Sequence, residues 1–337
     1  MTRRGSTARA CTVSLALAAL GASCAGAPSI FSSAGIAADR ISSLGWFLTI
    51  IACAVTVIVS ALLLVALLRP RPEHSGEVQR LGPSVRWIVI GGVIVPAVIL
   101  VVAFGVSVFT QSAIADPPSR AVATIRVTAH RWWWEVKYIG APDQTVMTAN
   151  EIHVPVGKPV RLELVSDDVV HSFWVPRLAG KMDVIPGQRN TMWMEADRPG
   201  TYLGECAEYC GLQHAHMNFV VVAEAPEKFE AWLAHQRTSA AAPTDSVARR
   251  GLSVFQSSAC AACHAIRGSE ALGRIGPDLT HLASRRTIAA GALLNSRGNL
   301  AGWIANAQSI KPGSGMPTIP LRSADSQALL VYLETLR

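Results

Sequence analysis

Two long uncharged runs dominate the first 110 residues, Leu44 to Leu68 and Trp87 to Phe109, 25 and 23 residues long. A helix needs about 20 apolar residues to cross a bilayer core, so both runs predict membrane spans, within a hairpin over residues 40–110. A shorter apolar run, Ala10 to Ala22, follows Arg3, Arg4 and Arg9 and precedes the small residues Ser23 and Ala25. That layout predicts a secretory signal peptide over residues 1–25. A lipid anchor at Cys24 is disfavoured, because Gly21 stands where an apolar residue would be needed. The segment 69–86 carries Arg69, Arg71, Arg80 and Arg86, against Arg40 and Arg120 on the outer flanks. The positive-inside rule places that loop in the cytoplasm and everything after residue 110 on the outer face.

From Ala121 to Ala223 the pattern turns to period two, as in Arg161-Leu-Glu-Leu-Val165 and Thr191-Met-Trp-Met-Glu195. Turn signals fall at Val156-Gly-Lys-Pro159, Ile185-Pro-Gly187 and Arg198-Pro-Gly200. Short alternating strands between such turns predict an antiparallel sandwich or barrel, in a domain over 117–235. Residues 236–245 are small, polar and Pro-bearing, as a linker is. Beyond them, Asp245 to Ser257, Leu300 to Ala307 and Ser323 to Leu336 read as helices, the last with an apolar face of Leu329, Leu330, Leu333 and Leu336. A compact all-helical domain over 246–337 follows.

Composition adds two points. Half of the 337 residues are hydrophobic, which the spans account for, and the net charge of +7 comes with no basic cluster on a helical face, so nucleic acid is not an expected partner. Neither uncharged run holds a histidine or an acidic residue, so a metal or cofactor site ligated from within these spans is not expected.

Seven cysteines occupy positions 11, 24, 53, 206, 210, 260 and 263. Cys11 and Cys53 lie in apolar runs, as inert thiols do. The last four form two tight pairs, which points to ligation or covalent attachment rather than a disulfide framework. The segment Cys206-Ala-Glu-Tyr-Cys-Gly-Leu-Gln-His-Ala-His-Met217 offers two thiols, an imidazole at His214 and a thioether at Met217. That soft-donor set favours copper over magnesium or calcium. A blue-copper site needs one cysteine; two at i and i+4 can each bridge a pair of copper ions. A zinc site is the competing reading, disfavoured by Met217 and by the close cysteine spacing. A second histidine is required, and His130, His153, His171 and His216 are available. His171 begins an apolar stretch, His171-Ser-Phe-Trp-Val-Pro176, able to lie beside the cysteine loop.

The second pair sits in Cys260-Ala-Ala-Cys-His264, the attachment motif of a c-type heme, with His264 as an axial ligand. Met316 is the only methionine after Met217 and lies in the tight segment Pro312-Gly-Ser-Gly-Met-Pro317. It is the leading candidate for the sixth ligand, with His281 competing. Gly276-Pro277 is expected to line the proximal side.

With these motifs in place, the chain resembles subunit II of the cytochrome c oxidases, of the kind with a C-terminal fused cytochrome c domain. The carrying residues are Cys206, Glu208, Cys210, His214 and Met217, preceded by Asp168, His171, Ser172 and Pro176, and the aromatic run His130-Arg-Trp-Trp-Trp-Glu135. The resemblance implies a two-helix hairpin, an all-β cupredoxin-like domain and an all-α cytochrome c domain in the bacterial cell membrane. It implies a dinuclear copper centre bridged by both cysteines, with His171, His214 and Met217 as further ligands and Glu208 ligating through its carbonyl. It also implies magnesium at the Glu208 side chain on the junction with subunit I, a covalent heme c, and electron entry at an exposed Trp132. Lys181 and Asp183 match the loop that faces subunit I. The implied partners are subunits I and III and, as donor, cytochrome c or a cytochrome bc complex. One departure stands out: many relatives place a glutamate near the start of the second span, whereas residues 85–95 here contain no acid. A tethered electron carrier for another reductase is the alternative reading.

Overall fold

The computed structural model describes residues 28–70, 82–141 and 144–337. The expected signal peptide, with Cys11 and Cys24, and Arg71 and Arg80 of the loop lie outside the described residues. Helix α1 (Ile36–Leu68) runs out, and the return is made by α2 (Gly82–Val89), a π-helical turn (Ile90–Ile94) that contains Gly91 and Gly92, and α3 (Val95–Ala115). The most apolar stretch of each leg has no buried residue, and Leu67, Phe104 and Phe109 stand fully outward. Side chains of this size bared in two rows require lipid around them.

The first helix begins at Ile36 rather than at Leu44 because its first turns are not in the membrane at all. Ala34, Ala37 and Ala38 are buried against the β domain. Ala34 N–H donates to Arg177 O (2.7 Å), and Asp197 N–H donates to Ala34 O (2.9 Å). A Cβ on Gly35 would stand 2.2 Å from Glu195 O, so only glycine fits there. The outer end of α3 is tied in the same way, with Arg40 Nη1 donating to Ala113 O (3.0 Å) and Trp193 Nε1 to Ile114 O (2.8 Å).

The β domain is a two-sheet sandwich. One sheet has the order β3-β2-β1-β5-β8 and the other β4-β10-β9-β6-β7. The strands are β1 (Ala123–His130), β2 (Trp133–Tyr138), β3 (Val146–Ala149), β4 (Glu151–Pro155), β5 (Val160–Ser166), β6 (His171–Trp174), β7 (Met182–Val184), β8 (Asn190–Met194), β9 (Gly200–Cys206) and β10 (Asn218–Glu224). The expectation of a wholly antiparallel sandwich needs correction, since β1 pairs with β5 and β10 with β4 in parallel. The cause is a change of sheet between β3 and β4, made at Asn150, whose φ of 58° is a left-handed conformation that asparagine tolerates. Asn150 anchors the corner by accepting from Trp134 N–H at Oδ1 (2.8 Å) and donating its own N–H to Trp134 O (2.9 Å). Alternate residues of β1, Ile125, Val127 and Ala129, are fully buried, as their period-two spacing requires. Trp134, Phe173 and Phe219 close the end of the core nearest the cysteine loop, with edge contacts from Trp134 to both phenylalanines at 5.7 and 5.4 Å.

Helix α4 (Pro226–Gln236) leads to the C-terminal domain, which holds α5 (Ser246–Ser257), α6 (Cys260–Cys263), α7 (Arg297–Ala305), α8 (Ala307–Ile310) and α9 (Ser323–Thr335). A two-residue ribbon, β11 (Thr287–Ile288) with β12 (Leu293–Leu294), joins the helices. Asp245 caps α5, its carboxylate accepting from the N–H groups of Val247 and Ala248. The helix expected over 300–307 starts earlier, because the Ser296 hydroxyl caps it, and breaks at Asn306, which leaves helical geometry and caps α8. Leu329, Leu330, Leu333 and Leu336 are buried, as the apolar face predicted.

Helices α5 and α9 cross at Gly251, where a Cβ would stand 2.1 Å from Ala328 O and 2.6 Å from Tyr332 Cβ. Gly251→Ala is expected to force the crossing apart at a cost of about 1–3 kcal/mol. For a domain of this size that lowers the heat-denaturation midpoint of the helical signal by about 4 °C or more.

Candidate metal centre

The cysteine loop hangs between β9 and β10, and its base is closed by Cys206 N–H donating to Met217 O (3.1 Å). Strand β6 lies beside it, with Phe173 opposite Cys206, so His171 at the head of β6 is carried to the loop by strand register. The result is a string of soft donors. Cys206 Sγ is 3.8 Å from His171 Nδ1 and 3.8 Å from Cys210 Sγ. Cys210 Sγ is 3.7 Å from His214 Nδ1 and 3.8 Å from Met217 Sδ, and the Glu208 carbonyl faces Cys206 Sγ at 3.2 Å. His171, Cys206, Cys210 and Met217 are buried, His214 is half-buried, and the Glu208 side chain is exposed. Among the described residues, His171, Cys206 and Cys210 form the group of three donors close enough to hold one ion.

The other histidines are engaged elsewhere. His130 pairs with Asp167, His153 sits between Glu151 (2.9 Å) and Glu224 (2.7 Å), and His216 Nδ1 meets Gln213 Oε1 (2.9 Å). His171 keeps Nδ1 toward the sulfurs because Asp168 Oδ1 holds Nε2 at 2.8 Å. Partial burial works against the Asp168 carboxylate, but hydrogen bonds from His171, Val169 and Arg131 outweigh it and keep its pKa below the ordinary aspartate value. The two thiols influence each other most. The hydrogen bond from Cys210 pulls the Cys206 pKa down, and the Cys206 thiolate pushes that of Cys210 up. Two buried sulfurs at this distance ionise together only with a cation between them, so the donor chemistry fits copper bound by both.

Trp132 is half-buried, not exposed as the resemblance implied. Its Nε1 donates to Cys210 O (3.0 Å), and a Cβ on Gly313 would lie 3.6 Å from the ring. The C-terminal domain is what covers it.

In that domain Cys260 and Cys263 stand half-buried on α6, one turn apart. His264 Nδ1 donates to Pro277 O (2.8 Å), which leaves Nε2 as the nitrogen with a free lone pair, the form an iron ligand needs. A Cβ on Gly276 would stand 2.6 Å from the His264 ring, so glycine keeps the cradle open for a flat group. Met316 is half-buried against the same core, on a loop shaped by Gln308, whose Nε2 donates to the carbonyls of Ser314 (2.9 Å) and Met316 (2.8 Å). His281 turns both ring nitrogens to backbone carbonyls, Arg337 O at 2.8 Å and Thr238 O at 3.2 Å.

Sequence reasoning missed the contacts between the two domains. Gln213 Nε2 donates to Pro312 O (2.8 Å), Asn218 N–H to Ala290 O (3.0 Å), and Arg286 N–H to Glu151 Oε2 (3.0 Å). Lys311, 2% exposed, donates to carbonyls on both sides. Short-range patterns carry no sign of such pairs, which lie 72 to 179 residues apart in the chain. Asp168 and Gln308 alone were within reach of a local reading.

Two outcomes are expected. Asp168→Ala frees the His171 ring and lowers the affinity of the cluster for copper by about 10–100-fold, read by competitive titration against a chelator. Glu151 is buried, which works to raise its pKa, yet hydrogen bonds from His153 and Arg286 and the nearby Arg285 charge hold it below the usual glutamate value. A depressed folded pKa means stability that is complete above the unfolded value of about 4.3 and lost as pH falls through the folded one. Glu151→Gln should therefore flatten the loss of thermal stability between about pH 5 and pH 3, measured against the parent chain.

Two stretches of the chain match known protein families. Residues 141–224 match the family model "Cytochrome C oxidase subunit II, periplasmic domain", and residues 248–337 match that of cytochrome c. The chain is 40% identical over 214 residues to cytochrome c oxidase subunit 2 of Alkalihalophilus pseudofirmus, covering 63% of this chain and 61% of that protein. It is 32% identical over 263 residues to the subunit 2 of Bacillus sp. PS3, covering 72% of each. The solved periplasmic domain of subunit II of cytochrome oxidase from Bradyrhizobium japonicum is 28% identical, with a TM-score of 0.33 over 35% of this chain and 96% of that one. With 32% identity over 72% of the Bacillus sp. PS3 protein, the chain belongs to the cytochrome c oxidase subunit 2 family.

Proposed function

We propose that this chain is the electron-entry subunit of a heme–copper cytochrome c oxidase, taking electrons from a cytochrome c or a cytochrome bc complex and delivering them to the oxygen-reducing site of subunit I. The observation that carries the reading is the string His171, Cys206, Cys210, His214 and Met217, with successive donors 3.7–3.8 Å apart around a buried pair of sulfurs. When bound, a copper pair shares one electron over two metals, and a covalent heme takes up and releases one electron with little change in geometry.

The residues divide the work. Cys206 and Cys210, with His171, His214, Met217 and the Glu208 carbonyl, would hold the coppers, and Asp168 orients His171. Cys260 and Cys263 would attach the heme, and His264 through Nε2 and Met316 through its sulfur would be the residues that ligate its iron. Trp132 is the entry point, since its ring lies between the Cys210–Gly211 loop and Gly313 of the cytochrome domain.

On the far side of the cysteine loop a groove of 680 Å³ is lined by Trp174, Lys181, Glu205, Cys206 and His214, and also by Ile41 of α1. Its position at the membrane end of the domain suits a partner embedded in the bilayer, which is where subunit I would sit, with subunit III beyond. Magnesium at the exposed Glu208 carboxylate would draw its remaining oxygen ligands from that partner.

Metal and heme analysis of the full chain in detergent, with its visible and near-infrared spectrum, tests the reading. The expected result is two coppers and one covalent heme per chain, with a mixed-valence near-infrared band lost in Cys206→Ser. Trp132→Leu should keep the copper content and slow heme-to-copper transfer at least tenfold. One zinc and no copper would sink the proposal.

A further inference from the structure

We propose that Lys311 is a positioning residue that clamps the cytochrome domain onto the copper loop, so that the two domains work as a pre-docked pair instead of meeting by diffusion on a linker. The inference rests on the relay reading above.

Lys311 follows α8 in the cytochrome domain, yet its ammonium is directed into the seam between the domains. Nζ donates to Trp132 O (2.7 Å) and His216 O (2.8 Å) of the copper domain and to Ala289 O (3.1 Å) of its own domain. A lysine ammonium has three N–H donors, and here each one finds a carbonyl. Among the described residues no carboxylate pairs with it, so these three carbonyls are the partners of Nζ in a 2% exposed position. Removing the side chain would take one donor from each of three carbonyls at the seam, two in one domain and one in the other.

The surroundings are built for the same purpose. Ala289 and Ala290 both have left-handed backbones, with φ of 54° and 57°, which non-glycine residues rarely adopt. The strain aims Ala289 O at Lys311 and Ala290 O at Asn218 N–H across the seam. Gly291 follows with φ of 80°, and a Cβ there would stand 2.8 Å from Asn218 Cβ. On the other side of Lys311, Pro312 O receives Gln213, and Gly313 lies against the Trp132 ring. One continuous segment, 311–316, thus grips Trp132 by its carbonyl, touches its ring, and ends at Met316.

The test uses the full chain in detergent, loaded with copper and heme, as the parent and as Lys311→Met, which keeps apolar bulk and removes all three donors. Hydrogen exchange read by mass spectrometry reports docking directly, because the amides of Asn218 and Arg286 donate across the seam. In the parent these two should be protected like sheet amides; in the variant they should exchange at least tenfold faster, with Val127 and Leu162 unchanged. Flash-initiated heme-to-copper transfer, independent of solvent viscosity in the parent, should slow at least tenfold in the variant and become viscosity-dependent. Equal exchange and equal rates in the two proteins would overturn the role of Lys311. Rapid exchange at Asn218 and Arg286 in the parent alone would overturn pre-docking, even if the variant failed to fold. A parent that took up no copper would instead defeat the relay reading, while the exchange comparison would still decide the clamp.

Discussion

Two sulfur atoms 3.8 Å apart in a water-poor loop set the terms for the rest of the external structure. Each wants to be an anion in order to bind metal, and neither can be one beside the other without a cation between them. The protein meets that constraint by surrounding the pair with neutral donors and with oriented dipoles. His171 is delivered by the register of β6 against β9, and its ring is turned by Asp168. Met217 closes the loop with its carbonyl while its sulfur faces Cys210. The aromatic floor of Trp134, Phe173 and Phe219 keeps the loop from sinking into the sandwich, and Trp134 also reaches Met217 O at 3.4 Å. A string of donors preset in this way needs little rearrangement when the charge of a bound metal changes, which is what electron transfer requires and substrate chemistry does not.

The same loop is also the meeting point of three environments. Toward the membrane it opens on the groove beside α1, toward the cytochrome domain it is roofed by Trp132 and the 311–316 segment, and behind it lies the β core. The short helical extension before the first span matters here, since Ala34 and Ala37 are buried in the copper domain's own core and not in the bilayer. The β domain is thereby held at a defined height and orientation above the spans, with hydrogen bonds from Arg40 and Trp193 securing the second leg. A domain hung on a loose tether could not hold one face of its metal loop toward the membrane and another against the C-terminal domain.

Much of this was legible in the chain. Span number and sidedness follow from uncharged length and arginine distribution, because lipid tolerates neither bare charge nor unpaired backbone. The cysteine loop and the heme motif are legible because their ligands are close in sequence, so that spacing alone constrains geometry. Choosing His171 among the candidate histidines was already a weaker inference, because its place beside the loop depends on the pairing of Phe173 with Cys206, which local spacing does not record. The parallel strand pairs were not legible, since sheet exchange at Asn150 depends on a single left-handed residue. Nor was the half-burial of Trp132, which is covered by residues almost two hundred positions away.

The sequence by itself determined what kinds of parts this protein has: two apolar spans, a β domain with a soft-donor loop, and a helical domain with a covalent heme motif. These are properties of local composition and spacing, and they survive any arrangement of the parts. Only the tertiary structure decided how the parts face one another, with Lys311 buried among carbonyls of two domains, Glu151 receiving the Arg286 amide, and Gly313 against Trp132. The reason is physical: a buried polar group must find its partners wherever the fold brings them, and nothing in the neighbouring residues records which distant backbone those partners will be.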